Sequence, residues 1–166
     1  MGKFRLEIKW GLVFAAMVAV WMGMEKAVGL HDRHIDKHMY YTSLILLPAV
    51  AVYLLALLDV RKSRYGGAMT YGQGFRYGLG LTVVIAILSP LNQALVSFVL
   101  SPAYFENAIR LSVDKGFLDL ETARNKFTFG SYLVQGIIGA LMTGAAMAAI
   151  LSAFTRGKKR FLTAGP

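Results

Sequence analysis

Four stretches of this chain, 10–24, 39–58, 77–105 and 127–155, contain no Asp, Glu, Lys or Arg. At 1.5 Å rise per residue, about 20 such residues cross a hydrocarbon core of roughly 30 Å. A water-soluble helical packing needs polar helix faces, and the last three stretches are apolar all round. The expected fold is therefore all-α, an integral membrane four-helix bundle in one domain, 1–166, with spans at about 8–30, 39–58, 77–101 and 130–154.

Loop charge orients the spans. Residues 1–9, 59–76 and 156–166 share one side and hold 11 basic and 2 acidic residues, the whole formal charge of +9. The other side, 25–38 and 106–126, holds 7 of each. Basic residues near span ends are retained in the cytoplasm, so both termini are expected inside, against anionic headgroups. The same residues form no stripe interleaved with aromatics, which argues against nucleic acid as a partner. With no Cys in the chain, disulfides, thiol catalysis and palmitoylation are excluded. Lys3, Arg5 and Lys9 precede the first apolar run as in a signal sequence, but no A-x-A site ends it, so it reads as an uncleaved anchor.

The second outer loop, 102–129, mixes charges with Tyr104, Ile109, Val113, Phe117 and Leu120. It reads as two short amphipathic helices, one after Ser101-Pro102 and one capped by Asp119, separated near Gly116. Gly66-Gly67 supplies the turn between spans two and three. Lys9-Trp10-Gly11-Leu12 and Arg76-Tyr77-Gly78-Leu79 open spans one and three alike, either as traces of a duplicated hairpin or as the common start of any in-to-out span.

Small residues recur every four positions: Gly11, Ala15, Ala19 and Gly23 in span one, Gly136, Ala140, Gly144 and Ala148 in span four. That period keeps them on one helix ridge, where two backbones can approach closely. Pro90 in span three predicts a kink or break, because it removes a helix hydrogen bond. Asn92 and Gln93 follow at mid-membrane, either as glue between helices or as part of a polar site. Glu25, near the end of span one, is either a buried pairing group or an interfacial charge. His31, His34 and His38 would share a face if their segment were helical, flanked by Asp32 and Asp36, and three imidazoles at that spacing could hold zinc. Arg33 and Lys37 lie among them, so solvated loop histidines are the plainer reading, and no metal or cofactor is expected. The histidine loop is expected to turn back so that Glu25 pairs with His31 or His38, or with Lys26 or Lys37.

Ile8-Lys9-Trp10-Gly11, Glu25-Lys26, Gly29-Leu30-His31-Asp32, Ile35-Asp36-Lys37-His38, Leu57-Leu58-Asp59, Ser89-Pro90 and Phe154-Thr155-Arg156 together resemble a family of small bacterial membrane proteins. It is catalogued as domain of unknown function 4199 and is typical of Bacteroidetes. The resemblance implies a multi-pass, four-span protein of the bacterial inner membrane, and implies no activity, cofactor or partner. His34 falls outside its pattern, which leaves His31 and His38 as the better pair.

Three functions fit. The first is a non-enzymatic membrane module that packs against itself, as a homo-oligomer, or against another membrane protein. The second is a small oligomeric transporter or channel that uses the broken third span. The third is an interfacial metal-dependent hydrolase on the histidine loop. It ranks last, because no nucleophile elbow, metalloprotease helix or phosphate-binding glycine loop is present.

Overall fold

The computed structural model describes residues 4–157. Lys3 and the run Lys158, Lys159, Arg160, counted above with the cytoplasmic charge, lie outside the described residues. The chain forms helices α1 (Arg5–Ala27), α2 (Ile35–Thr42), α3 (Leu46–Tyr65), α4 (Tyr71–Leu95), α5 (Tyr104–Asp114), α6 (Leu120–Lys126) and α7 (Phe129–Thr155). A 3-10 turn, Ser43–Ile45, joins α2 to α3, and a π turn, Val96–Leu100, prolongs α4. Four segments are long and apolar enough to cross a membrane: Arg5–Ala27, Ile35–Tyr65, Tyr71–Leu100 and Phe129–Thr155.

Turn chemistry places the helix ends. Gly66 and Gly67 both have positive φ, so α3 runs past Asp59 to Tyr65 before the chain reverses. Thr70 and Gln73 form a reciprocal capping box that starts α4 at Tyr71, six residues earlier than the apolar run implied. Pro90 does not break α4. Its missing N–H leaves the Ala86 carbonyl without its helical donor, and the Ser89 hydroxyl donates to that carbonyl at 2.9 Å. The third span is thus continuous through Pro90, and its irregularity lies one turn later, at the π turn.

Helix α4 is central, packing along α7 and α1, while α3 closes against α1 and α7. The core lies toward the end of the molecule where α1 begins and α7 ends, here the terminal end. Tyr53, Ala56, Leu57, Val60, Met69, Leu81 and Ala148 are almost fully buried there. A Cβ at Gly78 would stand 2.7 Å from that of Ala148, and one at Gly144 would stand 2.5 Å from Thr82 Oγ1. Gly11 is closed in the same way by Val84. The Tyr53 hydroxyl sits in this seam, donating to the Gly78 carbonyl at 2.5 Å, with Thr82 Oγ1 at 2.9 Å and the Gly144 carbonyl at 3.2 Å. A phenol among apolar helices needs such partners, because lipid offers none.

Both carboxylates at the terminal end are paired. Arg64 holds Glu7 through both guanidinium nitrogens, at 2.9 and 3.1 Å. Asp59 accepts from Lys9 and Trp10 at 2.8 Å each, and from Ser63 at 2.8 Å.

The four-residue ridges are only half used. Gly23 and Gly136 were expected to meet a neighbouring helix, yet a Cβ at either would find nothing within 4 Å. Both lie toward the opposite end, here the loop end, so equal spacing in sequence does not give equal contact in space.

Candidate functional site

At the loop end, the C-terminus of α1 builds one half of a polar cluster. Gly29 takes φ 81°, Leu30 N–H donates to the Glu25 carbonyl at 2.9 Å, and Gly29 N–H donates to Lys26 at 3.0 Å. This paired closure of the last turn folds the chain back over α1. His31 lands on the Glu25 side chain, with Nε2 at 3.3 Å from Oε2. His38, one turn into α2, brings its own Nε2 to 3.4 Å from the same oxygen. Trp21, one helical turn before Glu25, donates to the other oxygen, Oε1, at 2.6 Å. Glu25 and His31 are both buried, at 3% and 2% exposure.

The segment between α1 and α2 is a series of turns and not a helix, so the helical phase expected for the three histidines is lost. His34 is exposed at the start of α2 and does not join His31 and His38. Asp32 is also apart, bound to Lys26 at 2.8 Å on the surface. That ammonium group holds the Asp32 carboxyl below its ordinary range.

The π turn builds the other half. Its extra residue lets Ser101 N–H reach back to the Val96 carbonyl at 2.8 Å, and the Ser101 hydroxyl lies 2.6 Å from His31 Nδ1. Tyr104, opening α5, places its hydroxyl 3.4 Å from His38 Nδ1. The His31, His38 and Tyr104 rings meet edge-on in a triangle with centroids 5.3–5.4 Å apart. Asn107 donates to the His31 carbonyl at 3.1 Å. Burial pushes the Tyr104 hydroxyl far above its usual pKa, so it stays protonated.

Beneath this cluster, a cavity of about 250 Å³ lies between α1, α4 and α7. Phe14, Val18, Met22, Ile85 and Val96 make most of its wall apolar, and His31, His38 and Tyr104 also face it. Asn92 and Gln93 line it too, but their amides are engaged: Asn92 donates to the Ala15 carbonyl at 3.2 Å and Gln93 to Ser97 Oγ at 2.9 Å. Gly136 and Ala140 form part of the α7 wall, so there the missing side chains leave room and do not bring helices together.

The model of a family described as Protein of unknown function (DUF4199) matches residues 9–157. The chain belongs to this family. No curated protein and no solved structure matches it. The DUF4199 match takes in the whole cluster, from Trp21 and Glu25 through Ser101 and Tyr104 to Asn107, as well as the cavity.

Sequence reasoning missed Trp21, Ser101, Tyr104 and Asn107. Trp21 had a visible signal, since residues four apart share a helix face. Ser101 and Tyr104 meet the histidines across about seventy residues and had none.

Proposed function

We propose that this multi-pass protein is a non-enzymatic membrane module that holds a small, mainly apolar ligand with a polar end. In this reading it is a single four-span domain of the bacterial inner membrane with both termini cytoplasmic. The observation that carries it is the cavity of about 250 Å³, apolar along its length and ending on His31, His38 and Tyr104. Ligand sites are commonly concave and mostly apolar, with a few convergent polar groups, and this volume suits a small molecule.

The transporter or channel reading draws support from Asn92 and Gln93 in the cavity wall. Against it, Tyr53 and Leu57 of α3, with Leu81 and Met147, fill the terminal half of the bundle. A passage would have to open that core or run between copies of the chain.

Gly136→Phe tests the ligand reading, because Gly136 lines the cavity and a Cβ there meets no neighbour. In nanodiscs, 1-aminoanthracene should bind the parent saturably and the variant about tenfold or more weaker, at unchanged melting temperature. Equal binding by both would remove the proposal. For topology, single cysteines at Ser63 and Thr122, both exposed, should label from opposite sides of the membrane. Labelling of both from one side of intact cells would reverse that part of the reading.

A further inference from the structure

We infer that Glu25, His31 and His38 are the protein ligands of a zinc site. The candidate anticipated from sequence, three histidines, is a different set: His34 is exposed, and a carboxylate from α1 takes its place.

Distances carry the first part of the case. Both imidazoles bring Nε2 near one oxygen, Glu25 Oε2, at 3.3 and 3.4 Å. Most other bonds to carboxylates in the molecule are shorter: Lys9–Asp59 and Lys26–Asp32 are 2.8 Å, Arg64–Glu7 is 2.9 Å, and Trp21–Glu25 is 2.6 Å, while the exposed Arg110–Glu106 pair also stands at 3.4 Å. Charge-assisted N–H···O bonds normally close to about 2.7–2.9 Å, so both histidines stand farther from Glu25 than a close ion pair brings its partners. A tetrahedral zinc with nitrogen and oxygen ligands at about 2.0–2.1 Å separates those ligands by about 3.3–3.4 Å. The observed spacing is the edge of that tetrahedron. All three ligand atoms lie within 4.8 Å of one another.

The second part is the support behind each ligand. Ligating histidines hold their other ring nitrogen on an oxygen, which orients the ring and sets the tautomer. Here Ser101 Oγ serves His31 Nδ1 and the Tyr104 hydroxyl faces His38 Nδ1. Either hydroxyl can accept Nδ1–H, which frees the Nε2 lone pair for a metal. The oxygen of Glu25 that points away from the histidines is anchored by Trp21. Each of the three ligands is therefore held by a residue outside the set.

Two imidazoles and one carboxylate form a ligand set that zinc uses with a fourth, exchangeable position. His31 and His38 also face the cavity, so water or the polar end of a cavity ligand would complete the coordination from that side. The site stands whether or not the cavity binds such a ligand.

The experiment is metal analysis of the full chain purified without a histidine tag, by mass spectrometry, before and after dialysis against a chelator and zinc readdition. The parent should carry or take up about one zinc per chain. His31→Ala and His38→Ala should lose it by at least about tenfold, whereas His34→Ala should retain it. Because a buried variant can misfold, Ser101→Ala provides a milder probe that leaves all three ligands in place. It should weaken zinc affinity by about 10–100-fold with the helical spectrum unchanged. Cobalt readdition to the parent should give the visible bands of a four-coordinate ion. A parent that neither retains nor takes up metal would overturn the inference, as would zinc retained equally by the His31, His38 and His34 variants.

Discussion

The two ends of this molecule use the same small residues for opposite purposes. At the terminal end, Gly11, Gly78 and Gly144 are each filled by a side chain from the next helix, and no space remains. At the loop end, Gly23 and Gly136 face no neighbour, and Gly136 helps to enclose a cavity. In lipid there is little hydrophobic drive to bring helices together, so stability comes from close backbone contact and interhelical hydrogen bonds. One end concentrates those contacts. The other gives them up for a cavity under a buried polar cluster.

The contrast can be broken most directly at its packed side. Gly144→Leu drives a side chain into Thr82 and should destabilise the protein by about 1–3 kcal/mol, while Gly23→Leu should leave thermal melting in detergent unchanged. Equal melting of the two variants would erase the distinction. A smaller effect is expected for Tyr53→Phe, which strips one hydroxyl from the seam joining Gly78, Thr82 and Gly144. The loss should be about 1 kcal/mol in the same assay, and no loss would show that the seam is held by shape alone.

The smallest effect belongs to the loop end's surface, at Asp32. Its carboxyl is held below the ordinary range by the hydrogen bond from Lys26, so the pair contributes at neutral pH and fades as Asp32 is protonated below that range. Asp32→Asn should melt slightly below the parent at neutral pH, with the gap closing as pH falls through the lowered range of Asp32. A gap that widened in acid would contradict that linkage.

How far the sequence could be read follows the same division. The spans were legible because bilayer thickness translates directly into uncharged length. Gly66-Gly67 was legible as a turn, and the nearness of Glu25 to His31 followed from the need of the histidine loop to turn back before span two; the reversal at Gly29 itself was not read. The fates of Gly23 and Gly136 were not, because a four-residue period reports a helix face and not what faces it. The expected break at Pro90 failed for a local reason: Ser89 supplies the bond that proline withholds. Tyr53 was a missed signal, since a lone phenol inside an apolar span demands partners. Glu7–Arg64 and Asp59–Lys9–Trp10 depend on which helix ends meet, and that is a property of the packing.

The π turn at Val96–Leu100 has a consequence for the tolerated lengths of related chains. Such a turn is an α-helix carrying one surplus residue. A related chain one residue shorter between Val96 and Leu100 could close the same stretch as ordinary α-helix and still deliver the residue equivalent to Ser101 to His31. A one-residue gap in the regular part of α4 would instead swing everything beyond it by about 100° around the axis. Length differences among related chains should therefore be tolerated at the π turn and damaging earlier in the same helix.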